Sequence, residues 1–214
     1  MATKYLDFSP PVATVLNYNS PIAVIETGIF TRMSYPSNKA ALDEMAQQFW
    51  QRGCMPCFVA VINGRLKAGL GKSEIDLLCQ SGRTCSRWEL PSLVSGGGTA
   101  GASASAAMAI ARLADIVPVV APGLTDSLAD LDALGTTSRL VFCGKVSPEK
   151  VLLFNSRGVP VLRQEPEQIP DAYLVQRELE LSECAVVPCE ESLAQLADVT
   201  ASVALALKKR ASFQ

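Results

Sequence analysis

Short apolar runs alternate with stretches of helical period along the whole chain. Ile22-Ala-Val-Ile25 is apolar at every position, which predicts a strand covered on both faces and ending at Glu26. Leu42, Met45, Ala46 and Phe49 recur at the 3.6-residue period, so a helix follows, with Ser37 or Asn38 as its cap and Gly53 as its stop. Phe58 to Ile62 reads as a strand, and Asn63-Gly64 is a preferred two-residue hairpin turn into Arg65–Ala68. Ser73 opens a short helix, and Thr99 to Leu113 reads as a helix built largely from Ala, Ser and Gly. Val117–Ala121, Leu140–Cys143 and Val159–Leu162 are further unalternating strands, separated by helices at about 127–134 and 148–156. A polar connection over 163–170 leads to a last strand at Ala185–Pro188 and a helix over about 190–210. The order predicts an α/β fold, a layered domain with a mainly parallel central sheet flanked by helices. One domain over residues 1–214 is expected at this length.

Composition narrows the chemistry. Apolar residues make up 49% of the chain and charged ones 19%, which suits a buried core and argues against disorder. With 19 Lys plus Arg against 21 Asp plus Glu, the net charge of −2 gives no electrostatic case for nucleic acid or a membrane surface. Histidine is absent, which excludes a Ser-His-Asp triad, a Cys-His dyad and any His-ligated metal within this chain. Catalysis would fall to carboxylates, lysines, thiols, hydroxyls or an oxygen-ligated metal. The first residues show no secretory pattern, no apolar run reaches the roughly 18 residues of a membrane span, and seven cysteines is an odd count. Reduced, mostly buried thiols and a cytoplasmic location are expected. Cys54-Met-Pro-Cys57 follows a helix and leads into a strand, the reverse of a thioredoxin-like redox pair, so packing is the favoured reading.

Four places could carry chemistry. Glu26 lies at the carboxyl end of a strand, where open parallel sheets place ligands and where a carboxylate can act as acid or base. Gly96-Gly-Gly-Thr-Ala-Gly-Ala-Ser103 leads into a helix and could meet phosphate with backbone N–H groups, although close packing explains the small residues better. Asp126 and Asp130 lie one helical turn apart at a helix start, as ligands for a hard divalent ion or as ordinary first-turn residues. Lys145 stands just past the strand ending at Cys143, where a lysine could form an imine with a sugar carbonyl.

In order, Ile22-Ala-Val-Ile-Glu-Thr-Gly-Ile29, Tyr35-Pro-Ser-Asn38, Ala60-Val-Ile-Asn-Gly-Arg-Leu-Lys-Ala-Gly-Leu70, Thr84-Cys-Ser-Arg-Trp-Glu-Leu-Pro91, the small-residue helix Gly98–Leu113, Asp126-Ser-Leu-Ala-Asp-Leu131 and Phe154-Asn-Ser-Arg-Gly-Val-Pro160 resemble the pseudouridine-5′-phosphate glycosidase family, the indigoidine-synthase-A-like proteins. The resemblance is clearest over 15–173, with 174–214 a shortened C-terminal region. It implies reversible cleavage of the carbon–carbon glycosidic bond of pseudouridine 5′-phosphate through a lysine imine. It also implies a manganese ion, a small ribosyl phosphate or C-nucleotide as partner, and a homotrimer. Carried over by position, Glu26 is the proton donor, Asp126 the metal ligand, and Thr84, Ala104 and Asp130 fall at substrate-binding positions. Lys145 is the candidate nucleophile, reached only through a gap, and Lys150 is a poorer match inside the next helix. The family pattern has a lysine where Thr84 stands, a serine where Leu128 stands, a longer loop where Pro122–Thr125 stands, and an active-site asparagine near Ser202. These departures keep a second reading open, a catalytically inactive relative acting in binding or assembly. The retained Glu26, Asp126, Asp130 and a lysine favour the enzyme.

Overall fold

The computed structural model describes residues 4–125, 127–136, 139–182, 184–189 and 192–211. The first half runs β1 (Leu6–Phe8), α1 (Pro10–Asn17), β2 (Ile22–Ile25), α2 (Gly28–Thr31), α3 (Ser37–Trp50), β3 (Met55–Ile62), β4 (Arg65–Ala68), α4 (Lys72–Ser81) and β5 (Thr84–Cys85). Then come α5 (Leu90–Ser95), β6 (Ala100–Ala102), α6 (Ala104–Ala114), β7 (Pro118–Val120), α7 (Leu128–Thr136) and β8 (Leu140–Cys143). The chain ends with α8 (Pro148–Ser156), α9 (Ile169–Glu178), β9 (Ala185–Pro188) and α10 (Leu193–Ala211).

Among the described residues the strands form one mixed sheet, ordered β1-β4-β3-β2-β7-β8-β9. Its larger part, β3-β2-β7-β8-β9, is parallel throughout. The eight-residue β3 serves two partners on one edge: Met55–Phe58 pair with β2, and beyond that Ala60 and Val61 pair with β6. Its other edge carries β4, antiparallel through a turn whose Asn63 and Gly64 both have positive φ, 48° and 73°. A Cβ at Gly64 would lie 2.7 Å from the Val94 carbonyl oxygen, so the turn admits only glycine there.

Alternate residues of the central strands face opposite cores. Val24, Cys57, Val59, Val119, Val141 and Val186 pack with α1, α6, α7 and α8, whereas Ala23, Ile25, Phe58, Val120, Phe142 and Val187 pack with α3, α9 and α10. Both faces are covered, which is why these strands read as unbroken apolar runs. In α6, Ala104, Ala106, Ala107, Met108, Ile110, Ala111 and Ala114 are all buried, and the small side chains let the helix lie close against the sheet.

The mainly parallel α/β expectation holds, with local corrections. Thr99–Ala102 does not belong to the helix: Ala100–Ala102 is β6, because this segment supplies backbone hydrogen bonds to β3 and β5, and the helix starts at Ala104. Val159–Leu162 makes only a single bridge, Val161 to Val186, beside β9 at the edge of the sheet. Neither Ser37 nor Asn38 caps α3; Pro36 precedes it, and the buried Asn38 amide donates to the Cys79 carbonyl at 2.8 Å. The pattern does not predict β1, α1, α2, β5, α5 or α9.

Where β2 hands its edge of β3 over to β6, Thr27 ties the strands together. Its Oγ1 donates to the Val59 carbonyl at 2.6 Å and accepts from the Ala102 N–H at 2.9 Å, while its own N–H donates to the Ala102 carbonyl. Thr27 is fully buried. Replacing it with Val leaves a buried carbonyl and a buried N–H unpaired, a loss of roughly 2–5 kcal/mol. Thermal unfolding of Thr27→Val is expected to fall by roughly 5–15 °C for a chain of this size, and Thr27→Ser, which keeps the hydroxyl, by far less. Equal losses in the two variants would show that the hydroxyl does not hold this junction.

Candidate active site

Glu26 is the residue after β2, and its N–H still donates to the Val120 carbonyl of β7. β3 and β7 flank β2 on opposite sides, so the strand order reverses here, the point at which a parallel sheet opens a crevice at its carboxyl ends. The Glu26 carboxylate is 0% exposed. Oε2 accepts from the Gly123 N–H at 2.9 Å, in the turn after β7, and Oε1 has no hydrogen-bond partner among the described residues. The Ala104 N–H, at the start of α6, lies close enough to favour the charged form weakly, though short of a hydrogen bond to Oε1.

Burial dominates the electrostatics of this group. It lifts the Glu26 carboxyl to about 7; the Gly123 N–H opposes the rise, the Asp130 charge adds to it, and Arg32 opposes it. A carboxyl titrating near neutrality exchanges a proton at little free-energy cost, which suits an acid–base group. Gly123 is fixed by this contact: a Cβ there would sit 2.5 Å from Oε1. The turn at Pro122–Thr125 thus lies directly on the carboxylate.

Asp130, on α7, is 5% exposed. Its Oδ1 accepts from the Ser105 N–H at 3.0 Å, and Oδ2 accepts from both the N–H and the hydroxyl of Thr125, at 3.0 and 2.7 Å. Ala104 is buried at the first position of α6, where its contribution is the backbone N–H rather than a side chain. The structure therefore brings Glu26, Ala104 and Asp130 together.

Thr84 lies beside this group rather than in it. Its hydroxyl donates to the Gly28 carbonyl at 3.1 Å and meets the Thr31 hydroxyl at 2.8 Å, packed over α2. Asp126, the expected metal ligand, lies outside the described residues. Lys145 follows β8 on the same carboxyl edge as Glu26, with an exposed side chain that has no hydrogen bond or ion pair among the described residues. With β7 between them, two strand spacings put their backbones at least about 10 Å apart. Lys150, in the first turn of α8, is half-buried, and its charge acts on the Cys143 thiol at the end of β8. Ser202 sits on the exposed side of α10, across the sheet from α6 and α7.

Three residues here escaped the sequence reading: Gly123, Arg32 and Thr27. Pro122-Gly123 does signal a turn after a strand, but nothing in it shows that the turn closes on Glu26. Arg32, exposed at the end of α2, is a cation whose charge reaches Glu26. The C-x-x-C pair carries no redox signature: burial pushes both Cys54 and Cys57 to about 12, and all seven cysteines are buried and unpaired. No three His, Cys, Asp or Glu side chains come together as a metal site among the described residues, and no helix there is long and apolar enough to cross a membrane.

The fold is shared with solved structures. An indigoidine synthase A-like protein from Thermotoga maritima superposes with a TM-score of 0.78 at 15% identity, covering 95% of this chain and 96% of that one. The prealnumycin C-glycosynthase AlnA, solved in complex with ribulose 5-phosphate, gives 0.86 at 15% identity, covering 99% and 100%. In sequence, the pseudouridine-5′-phosphate glycosidase 2 of Photorhabdus laumondii is 30% identical over 189 residues, 79% of this chain and 61% of that protein. The pseudouridine-5′-phosphate glycosidase of Escherichia coli K12 is 28% identical over 189 residues, with the same coverage. This chain thus spans about three fifths of the length of the curated relatives it matches. The family model for indigoidine synthase A-like proteins matches residues 11–210, and the chain belongs to that family.

Proposed function

We propose that this chain cleaves or forms a carbon–carbon glycosidic bond between a ribosyl phosphate and a pyrimidine-like ring, with Glu26 moving the proton. The observation that supports it most is the buried Glu26 carboxyl, raised to about 7 at the reversal point of the sheet, with one oxygen held by Gly123 and the other unpartnered. The names of the matching relatives and of the structural neighbour support the same bond class.

The chemistry needs two things. In cleavage the bond's electron pair leaves with the ring carbon, which must gain a proton, and protonated Glu26 supplies it. First the lysine nitrogen bonds to the sugar carbon as that carbon's bond to the ring oxygen breaks, the proton lost by the nitrogen balancing the one the ring oxygen gains. When the carbon–carbon bond then breaks, the nitrogen lone pair forms an iminium, which water hydrolyses to release the lysine and the open sugar phosphate. Lys145 is the lysine in this reading, with Lys150 the neighbouring alternative. Because Glu26 is sealed, the turn at Pro122–Thr125 must lift for substrate to reach it. Asp126 belongs to the proposal as the residue that would hold manganese, with waters completing its shell; an ion there would polarise a substrate oxygen. The Glu26 and Asp130 carboxylates are held by N–H groups, and among the described residues no three such side chains form a cage on their own. A homotrimer and a cytoplasmic location remain part of the same proposal. The sealing of Glu26 also favours the second reading, an inactive relative, and trapping separates the two.

Borohydride reduction in the presence of ribose 5-phosphate is expected to attach the sugar covalently, with peptide mapping placing it on Lys145 and Lys145→Ala abolishing it. Attachment at Lys150 would reassign the nucleophile. No adduct, together with no turnover of pseudouridine 5′-phosphate, would establish the inactive relative.

The raised carboxyl has a stability signature. The unfolded state releases the Glu26 proton near 4.5 and the folded state only near 7. Its contribution is therefore fully present below 4.5 and is lost as pH rises through about 7, a change on the order of 3 kcal/mol. Glu26→Gln, neutral throughout, should gain that much relative to the wild type between acidic and mildly alkaline buffer in urea unfolding. A difference that does not move with pH would remove the case for a proton held at this site.

A further inference from the structure

We propose that Asp130 is a positioning residue: its carboxylate fastens the turn after β7 to the first turn of α6 and so sets the two N–H groups that face Glu26. The bonds that do this come from separate elements. Oδ1 takes the Ser105 N–H, one residue beyond Ala104, and Oδ2 takes the N–H and hydroxyl of Thr125, two residues beyond Gly123. Both donors that act on Glu26 therefore lie within two residues of a group bonded to Asp130. Asp130 is in turn seated by its own N–H, which donates to the Ser127 hydroxyl at 3.2 Å.

A carboxylate is suited to this task because it accepts from several donors at once, and bonds from N–H to a charged oxygen are about twice as strong as neutral ones. A substrate hydroxyl would find little of it: the residue is 5% exposed and both oxygens already face protein donors. The position that resemblance gives to substrate contact is here taken up in holding Gly123 against Glu26. Among the described residues, the charged groups acting on Glu26 are Asp130 itself, from α7, and Arg32, from the end of α2. The catalytic meaning of this role rests on Glu26 being the proton-handling group, but its test needs no substrate.

The test uses the full-length, 15N-labelled protein without ligand. In the wild type the Gly123 amide shift is expected to follow the Glu26 titration near pH 7, and in Glu26→Gln that response should vanish. In Asp130→Asn the response is expected to fall by half or more, with amide exchange at Gly123 faster several-fold, because an Asn side chain turns an NH2 toward one of the two backbone donors. Thr125→Val, which keeps the charge and loses only the hydroxyl, should show a smaller loss of the same kind, and carries the test if Asp130→Asn does not fold. A Gly123 response and exchange rate unchanged in Asp130→Asn, or in Thr125→Val where only that variant folds, overturn the proposal. If no amide responds in the wild type, the reading of Glu26 fails instead, and the exchange rate at Gly123 alone decides for or against Asp130.

Discussion

A single hydroxyl shared by three strands governs the geometry of this protein's carboxyl edge. Thr27 Oγ1 lies between the Val59 carbonyl and the Ala102 N–H, and the residue is fully buried. Without it, β2 could not end and β6 begin on the same edge of β3 without leaving polar backbone groups stranded in the interior. Because β6 runs straight into α6, the same junction decides where that helix starts, and Glu26, one residue earlier, is carried to its N-terminus. A fold-level requirement and a site-level one are thus met by adjacent residues.

The strands with both faces covered were legible because burial leaves no room for alternation, and Ile22–Ile25, Leu140–Cys143 and Ala185–Pro188 match their sequence bounds residue for residue. The hairpin was legible for a different reason: Asn63-Gly64 is one of few pairs that tolerate two positive φ angles. What misled was composition shared by two environments. Ala100-Gly101-Ala102 looks like the start of a small-residue helix, yet small residues are equally what a strand needs when another backbone passes close by. A Cβ at Gly101 would approach Thr31 Cγ2 to 2.7 Å and the Thr27 carbonyl to 3.2 Å. Local pattern cannot separate those two demands, since the crowding comes from residues some seventy positions away.

The candidate site divides along similar lines. Glu26 could be singled out because a strand end is a local feature and a carboxylate there is chemically suggestive. Its surroundings could not, since they are made by a turn, a helix start and another helix brought together only by the sheet order. Thr84 and Asp130 show how position differs from role. The family resemblance places Thr84 at a substrate position, yet its hydroxyl is used on Gly28 and Thr31, and Asp130 directs both oxygens at protein N–H groups.

The seven shielded thiols give the molecule a particular chemical lifetime. Burial raises five of them to about 12 and Cys189 to about 11. In the folded state at neutral pH only about one in 10⁵ of a thiol at 12 is the nucleophilic thiolate. Sulfur chemistry at these six is therefore favoured when the chain opens, so the pace of oxidative damage follows the open fraction as well as the oxidant supply. Any influence that holds the sheet shut would double as an antioxidant for this protein.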